Sequence, residues 1–143
     1  MPHTVRLALS ALVVVVSLVL ASCSAPDPSA LAGGLCTDLA NLRETIGFLA
    51  APPPGTSVGE VRGALDKLDP TFGSVSSSGL VPTSDVDALV AAHEDYRHVV
   101  RGVGDDDRFD SLTAQAESPA AALGSTFSAV MRDLGCAAAT PTG

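Results

Sequence analysis

The apolar residues of this chain recur every three or four positions in four segments between residues 35 and 134. That spacing places each set on one face of an α-helix, and no long segment alternates with the period of a strand. Four such faces are buried together most simply in an antiparallel bundle, so the pattern predicts an all-α fold, a small antiparallel four-helix bundle. The four faces are Leu35, Leu39, Leu42, Ile46 and Leu49; Val58, Val61, Leu65 and Leu68; Val86, Leu89, His93, Tyr96, Val100 and Val103; and Leu112, Ala116, Leu123, Phe127, Val130 and Leu134.

Local signals mark the ends of the first two predicted helices. The sequence Ala-Pro-Pro-Pro-Gly at residues 51–55 ends the first, because proline cannot continue a helix. Ser57 followed by Glu60 is a capping box that begins the second helix. Asp69-Pro70 is expected to end it, since the residue before a proline is pushed out of the helical region.

Similar signals mark the last two helices. The third begins after Pro82 and ends near Gly102, a residue suited to the left-handed turn that closes many helices. The fourth covers residues 109–134. Ser118-Pro119 lies inside it and suits a cap followed by a first helical position, so we expect a break or a kink there.

The first 22 residues have the three-part pattern of an export signal. A short head that contains Arg6 is followed by an uncharged apolar run from Leu7 to about Leu20, and small residues come next. The run falls short of the roughly 18 residues expected of a membrane-spanning helix. It therefore predicts a signal peptide that is removed from the mature protein.

Leu20, Ala21, Ser22 and Cys23 resemble the lipobox of bacterial lipoprotein signal peptides. The resemblance implies a diacylglyceryl thioether on Cys23, cleavage between Ser22 and Cys23, and a lipid anchor on the extracytoplasmic face of the cell membrane. A thiolate is the one side chain there nucleophilic enough to accept a lipid. An ordinary secretory signal followed by an unrelated cysteine is the alternative. The chain is rich in Ala, Gly, Val and Asp and has one lysine, a bias that resembles actinobacterial proteins.

These signals divide the chain into four parts. Residues 1–22 form the signal peptide, and residues 23–33 the lipidated cysteine with a flexible tether of small, polar and proline residues. The helical domain is predicted over residues 34–138. Residues 139–143 are expected to be a disordered tail.

Charge limits the partners of the mature chain. Sixteen acidic residues oppose eight basic ones, and cleavage after Ser22 removes Arg6, which leaves a formal net charge of −9. A surface of that sign is repelled by phosphate backbones and by anionic headgroups. We therefore expect no nucleic acid partner, and membrane attachment only through the lipid on Cys23.

The two remaining cysteines predict a disulfide. Once Cys23 carries the lipid, Cys36 and Cys136 are left as a pair in an oxidising compartment. In an up-and-down bundle the start of the first helix and the end of the fourth lie at the same end. Topology and cysteine placement therefore agree on a Cys36–Cys136 bond.

Residues with catalytic or metal-binding chemistry give no recognisable constellation. His93 and His98 are five apart, so on a regular helix they point to different faces and cannot share one metal ion. The acidic turn at residues 104–110 lacks the ligand spacing of a calcium loop. It reads as a solvated turn in which Asp110 caps the fourth helix. We predict no catalytic residue, no metal and no cofactor.

Three residues are candidates for contact with a ligand or a partner. His93 lies on an apolar face, where it is either hydrogen-bonded to a neighbour or positioned to contact a ligand or sense pH. The segment Pro70–Pro82 reads as a connection longer than the 2–8 residues usual between bundle helices. Its apolar Phe72 and Leu80 either fold back onto the end of the bundle or form a contact patch for an envelope protein.

Three functions follow as hypotheses. The first is a membrane-anchored, non-catalytic interaction or binding module of the cell envelope. The second is a carrier of a small apolar ligand held in the bundle core, since bundles can hold a guest between their helices. The third is an envelope enzyme with a dispersed site.

Overall fold

The computed structural model describes residue 25 and residues 27–136, and this part of the chain is helical. No strand occurs in it; a single isolated bridge pairs Ser57 with Arg108. The all-α prediction is confirmed. The predicted signal peptide, Cys23 and the tail at 139–143 lie outside the described residues. The elements are five α-helices and one 3₁₀ turn, namely α1 Pro28–Ala50, α2 Val58–Asp66, α3 Asp69–Ser78, α4 Thr83–Val100, the 3₁₀ turn Phe109–Leu112 and α5 Thr113–Asp133.

Helix α1 begins earlier than the sequence pattern predicts. It starts at Pro28, inside the range 23–33 that we expected to be a flexible tether. The Asp27 side chain accepts a hydrogen bond from the Ser29 N–H at 2.9 Å, and Pro28 occupies the first turn. An acidic cap followed by proline is a strong start signal, because it satisfies free amides and presets the helical φ. The small, polar and proline residues of 23–33 suggested a flexible tether, so the helix start at Asp27 and Pro28 was not predicted.

The segment from Pro70 to Pro82 is not the long loop that we predicted. Most of it is helix α3, which has Pro70 in its first turn, and Gly79 with φ 67° follows its last residue. Asp69-Pro70 therefore starts a helix where we expected one only to end. The reason is that proline is unfavourable inside a helix but well tolerated in its first turn. A two-residue turn at residues 67–68, which we call the corner between α2 and α3, separates the two helices.

The C-terminal part of the chain also differs from the prediction at one point. Of the break or kink that we expected at Pro119, the break is absent, because α5 is continuous through this residue. Proline removes the hydrogen bond to the carbonyl four residues earlier, which belongs to Gln115. Gln115 is exposed, so water can reach this part of the helix.

The core is built mainly from aliphatic side chains. Helix α4 packs most extensively against α5 and also contacts α2 and α3, while α1 contacts α2, α3 and α5. Aromatic residues make up 3% of the chain, so each buried ring matters. Tyr96, on α4, is fully buried, with Phe109 beside it at a ring-centroid distance of 6.3 Å.

The predicted disulfide is present. Cys36, in α1, is bonded to Cys136, which follows the end of α5, and the two Cα atoms lie 5.3 Å apart. The bond closes a loop with a sequence separation of 100 residues. A loop of that size loses much conformational entropy in the unfolded chain.

Replacing both cysteines by serine (Cys36→Ser with Cys136→Ser) should lower the free energy of unfolding by about 2–5 kcal/mol, because the unfolded chain regains that entropy. Urea denaturation of the two proteins measures the difference. A reductant should destabilise the wild type by a similar amount and leave the double variant unchanged. Equal unfolding free energies of oxidised wild type and double variant would contradict this role.

The Tyr96 hydroxyl supplies a hydrogen-bond donor to the C-terminal end of α1. It donates a hydrogen bond of 2.7 Å to the Leu49 carbonyl, one of the last-turn carbonyls that have no partner within the helix. Burial raises the pKa of Tyr96 to about 12, so the phenol stays protonated and remains a donor at neutral pH.

Tyr96→Phe should cost about 1–3 kcal/mol of unfolding free energy, because it leaves a buried carbonyl without its donor. Denaturation of the variant and the wild type tests this. Tyr96 is the only tyrosine, so ultraviolet titration of the wild type reports its phenol directly and should show ionisation near pH 12. A phenol that ionises near its ordinary pKa in the folded protein would contradict the burial of the Tyr96 side chain.

Candidate functional site

His93 lies at the junction of α2, α3 and α4, under the surface. Its Nε2 is 3.0 Å from the Leu65 carbonyl oxygen, and the ring meets the edge of Phe72 at a centroid distance of 5.4 Å. Its Nδ1 is 3.7 Å from a carboxylate oxygen of Asp69. With 4% of its surface exposed, His93 is hydrogen-bonded to the backbone rather than open to a ligand. The structure thus has the hydrogen bond of the first interpretation, and a role of His93 in sensing pH stays a prediction.

Phe72 and Leu80 do not form an exposed patch. Phe72 is buried in the core and packs against His93. Leu80 is half-buried and lies against the same core. The apolar residues of α3 face inward because the segment is helical, which places Phe72 and Val75 on one face. The alternative in which they fold back onto the bundle is therefore the one observed.

An ion-pair cluster lies beside His93 and ties α4 to the corner between α2 and α3. One guanidinium nitrogen of Arg97 lies 2.7 Å from Asp66 and 2.6 Å from Asp69. Its Nε is buried without a hydrogen-bond partner. No group of three potential metal ligands occurs in the part of the chain that the structure describes. The geometry of this cluster fits a structural clamp.

The acidic turn before the 3₁₀ helix is docked on α2. The carbonyls of Asp105 and Asp107 accept the backbone N–H groups of Gly59 and Val58 at 2.9 and 2.8 Å. These are two of the amides that a helix start leaves free, so the turn caps α2 through its backbone. The expected cap of the last helix by Asp110 is absent; its carboxylate accepts the Gly55 N–H at 3.3 Å instead.

An open apolar groove lies between α1 and α5, and we call it the α1–α5 groove. Its volume is about 600 Å³, within the range of small-molecule sites. Neither Gly47 nor Gly124 would bring an added Cβ within 4 Å of another atom, so both helices leave space here. Arg43 and Arg132 also line the groove. Its other lining residues include Ile46, Gly47, Gly124, Phe127, Met131 and Cys136.

A second groove lies between α1 and α2, and we call it the α1–α2 groove. Its volume is about 550 Å³, and Phe48 and Ala64 contribute apolar surface. Glu44, Glu60 and Lys67 line it too, so carboxylates outnumber cations there. The two grooves thus have similar size and opposite charge character.

The residues of the α1–α5 groove were missed by the sequence reasoning. Gly124, Phe127 and Met131 are spaced three and four apart on α5, and Arg43 and Gly47 are spaced four apart on α1. Each set shares a helix face, which is a usable signal. It indicates a groove only once α1 is known to lie against α5, and the periodicity does not give that pairing.

Two carboxyl groups meet where the start of α4 approaches the end of α5. The hydrogen bond with Asp85 and the repulsion between the two charges raise the pKa of Asp133, while Arg132 lowers it by a smaller amount. A raised pKa in the folded state means that this carboxyl stabilises the fold when protonated. That contribution is lost as pH rises through the raised pKa.

Asp133→Asn should therefore raise the melting temperature at neutral pH, because the amide keeps a hydrogen bond to Asp85 and removes the repulsion. The gain should shrink as the pH falls below the raised pKa of Asp133, where the wild-type carboxyl is itself protonated. Thermal unfolding across a pH series measures it. Asp38→Asn, an exposed mid-helix change of the same charge, controls for net charge and should show no such pH dependence. A gain that is constant with pH would contradict the coupling.

Comparison with known proteins gives no information on the function of this chain. Within the described part of the chain, no helix is long and apolar enough to cross a membrane. Cys23, the predicted lipidation site, lies outside that part. No protein-family model, no curated protein and no solved structure matches this chain.

Proposed function

We propose that the chain is a membrane-anchored lipoprotein of the cell envelope whose helical domain is a non-catalytic binding module. The observation that carries the anchoring is Leu20-Ala21-Ser22-Cys23 directly after an uncharged apolar run. The Cys36–Cys136 disulfide supports export, because such bonds persist in oxidising compartments. The anchor would hold the domain at the extracytoplasmic face of the cell membrane.

We also propose that the helices form an antiparallel bundle in which α2 and α3 share one position. The disulfide joins Cys36, in the N-terminal part of α1, to Cys136, which follows the end of α5. Leu49, at the other end of α1, shares a small pocket with Ala116 of the first turn of α5. Asp85 and Asp133 join the start of α4 to the end of α5. The contacts of α1 with α5 and of α4 with α5 thus suit opposite directions, which would leave α1 and α4 parallel to each other.

Binding is favoured over catalysis by what the described residues offer. His93 is occupied with a backbone carbonyl, and Arg97 with two carboxylates. The open α1–α5 groove, in contrast, has apolar side chains and two arginines that have no carboxylate within 4 Å among the described residues. This groove favours a small-ligand carrier as the form that the binding function takes. It lies between two helices, at the surface, instead of inside the core where the sequence led us to expect a guest.

Cys23→Ala should release the protein from the membrane or leave it as uncleaved precursor, because the variant has no thiol to receive the lipid. Phase partitioning in detergent, with mass measurement of the N-terminus, detects either result. Ser22→Ala keeps a small residue at the cleavage site and should stay anchored like the wild type. A Cys23→Ala protein that loses its signal and still partitions into detergent would refute the lipid anchor.

A further inference from the structure

The arginines of the described chain divide into two groups. Four lie within 4 Å of a carboxylate, namely Arg62, Arg97, Arg101 and Arg108. Among the described residues, no carboxylate lies within that distance of Arg43 or Arg132. Both of these line the α1–α5 groove. In a chain with twice as many acidic as basic residues, the lining of this groove thus has two arginines and no acidic residue.

Apolar surface lies directly beside these two charges. The Arg43 guanidinium reaches across from α1 to within 3.8 Å of the Met131 sulfur on α5. Phe127 and Met131 are core residues at the base of the groove, with 4% and 7% of their surface exposed, and Ile46 lies partly exposed beside them. Gly47 and Gly124 leave the space above them open. The groove therefore combines an open apolar base with two cationic groups.

We propose that the α1–α5 groove binds a long-chain fatty acid, with the acyl chain along Phe127 and Met131 and the carboxylate at Arg43 and Arg132. Burying the chain removes apolar surface from water, and a guanidinium forms strong, paired hydrogen bonds to a carboxylate. The proposal names the ligand of the binding module proposed above and rests on that function.

Charge excludes the same ligand from the α1–α2 groove. Glu44 and Glu60 line that groove, and a carboxylate placed there would be repelled. Its similar volume makes it an internal comparison, because size and helix packing alone would let both grooves take an acyl chain.

The proposed anchor would keep the groove near a source of lipid. Cys23 lies five residues before Pro28, so the connection spans at most roughly 18 Å. From Pro28 to Cys36 the helix rises about 12 Å. The disulfide end of the groove thus lies within about 30 Å of the anchored residue, and single-chain lipids that leave the bilayer are within reach.

The test is photocrosslinking of the full mature protein, isolated from cells and reconstituted in phosphatidylcholine vesicles. The probe is a long-chain fatty acid with a diazirine in its chain, compared with the corresponding uncharged alcohol. We expect peptide mapping to place the fatty-acid adduct on α1 and α5 around the groove. Gly124→Leu, which fills open space, should abolish it with melting temperature unchanged or raised.

Variants of the arginines test the headgroup contact. Arg43→Gln with Arg132→Gln should reduce labelling by the fatty acid about tenfold and leave labelling by the alcohol unchanged. Gly63→Leu, at an open helical glycine of the α1–α2 groove, and Arg101→Gln are the matched controls and should label like the wild type.

Several outcomes would overturn the proposal. The first is that Gly124→Leu still labels with the fatty acid, and the second is that the arginine variant loses acid and alcohol labelling equally. The third is that the protein forms dimers that Gly124→Leu dissociates. The fourth is that labelling appears only after residues 137–143 are deleted. The last two would mean that a second copy or the chain's own tail fills the groove. If Cys23→Ala shows that there is no lipid anchor, the same labelling in buffer still tests the groove, so the two failures are distinguishable.

Discussion

Helix α4 supplies side-chain partners to the C-terminal ends of α1 and α2. A helix end leaves carbonyls or amides without partners, and where such an end is buried a donor must come from elsewhere in the fold. Tyr96 supplies that donor to α1, and His93 lies against a carbonyl of the last turn of α2. Arg97 binds the carboxylates on both sides of the corner between α2 and α3. Side chains of α4 thus bind the end of α1, the end of α2 and the start of α3. These polar contacts contribute to a defined arrangement of the helices in a core with few aromatic residues.

The Cys36–Cys136 disulfide and the α1–α5 groove involve the same two helices. Gly47 and Gly124 cost each helix up to about 1 kcal/mol relative to alanine and contribute no side-chain contact across the interface. The Cys36–Cys136 bond, which offsets such a loss, joins this pair of helices. A covalent link lets α1 and α5 stay together without filling the space between them. The open groove is therefore compatible with a stable fold, whereas without the bond it would be a weakness.

Much of the fold could be predicted from the sequence because its signals are local. The three-to-four spacing identified the buried faces, and the capping box at Ser57 and Glu60 is formed as predicted. The effect of proline is not a local signal of this kind: Pro70 lies in the first turn of a helix and Pro119 lies within one, and the packing around each decides between these outcomes. The groove could not be predicted, because it depends on which helix faces meet. The burial of Phe72 likewise follows from α3 being a helix, which the serine-rich segment concealed.

The charge of the chain sets a condition on any anion that binds it. Sixteen acidic residues produce a field that repels small anions in solution, and two guanidinium groups in an open groove are screened by water and salt. Electrostatic attraction alone would then retain an inorganic anion weakly. An anion that also buries an acyl chain gains free energy from apolar contact, which is independent of the net charge. Selective binding would then need both parts of the ligand. The acyl chain would supply affinity, and the arginines would favour a carboxylate headgroup. The same field would disfavour occupation of the groove by the acidic surface of another copy of this chain.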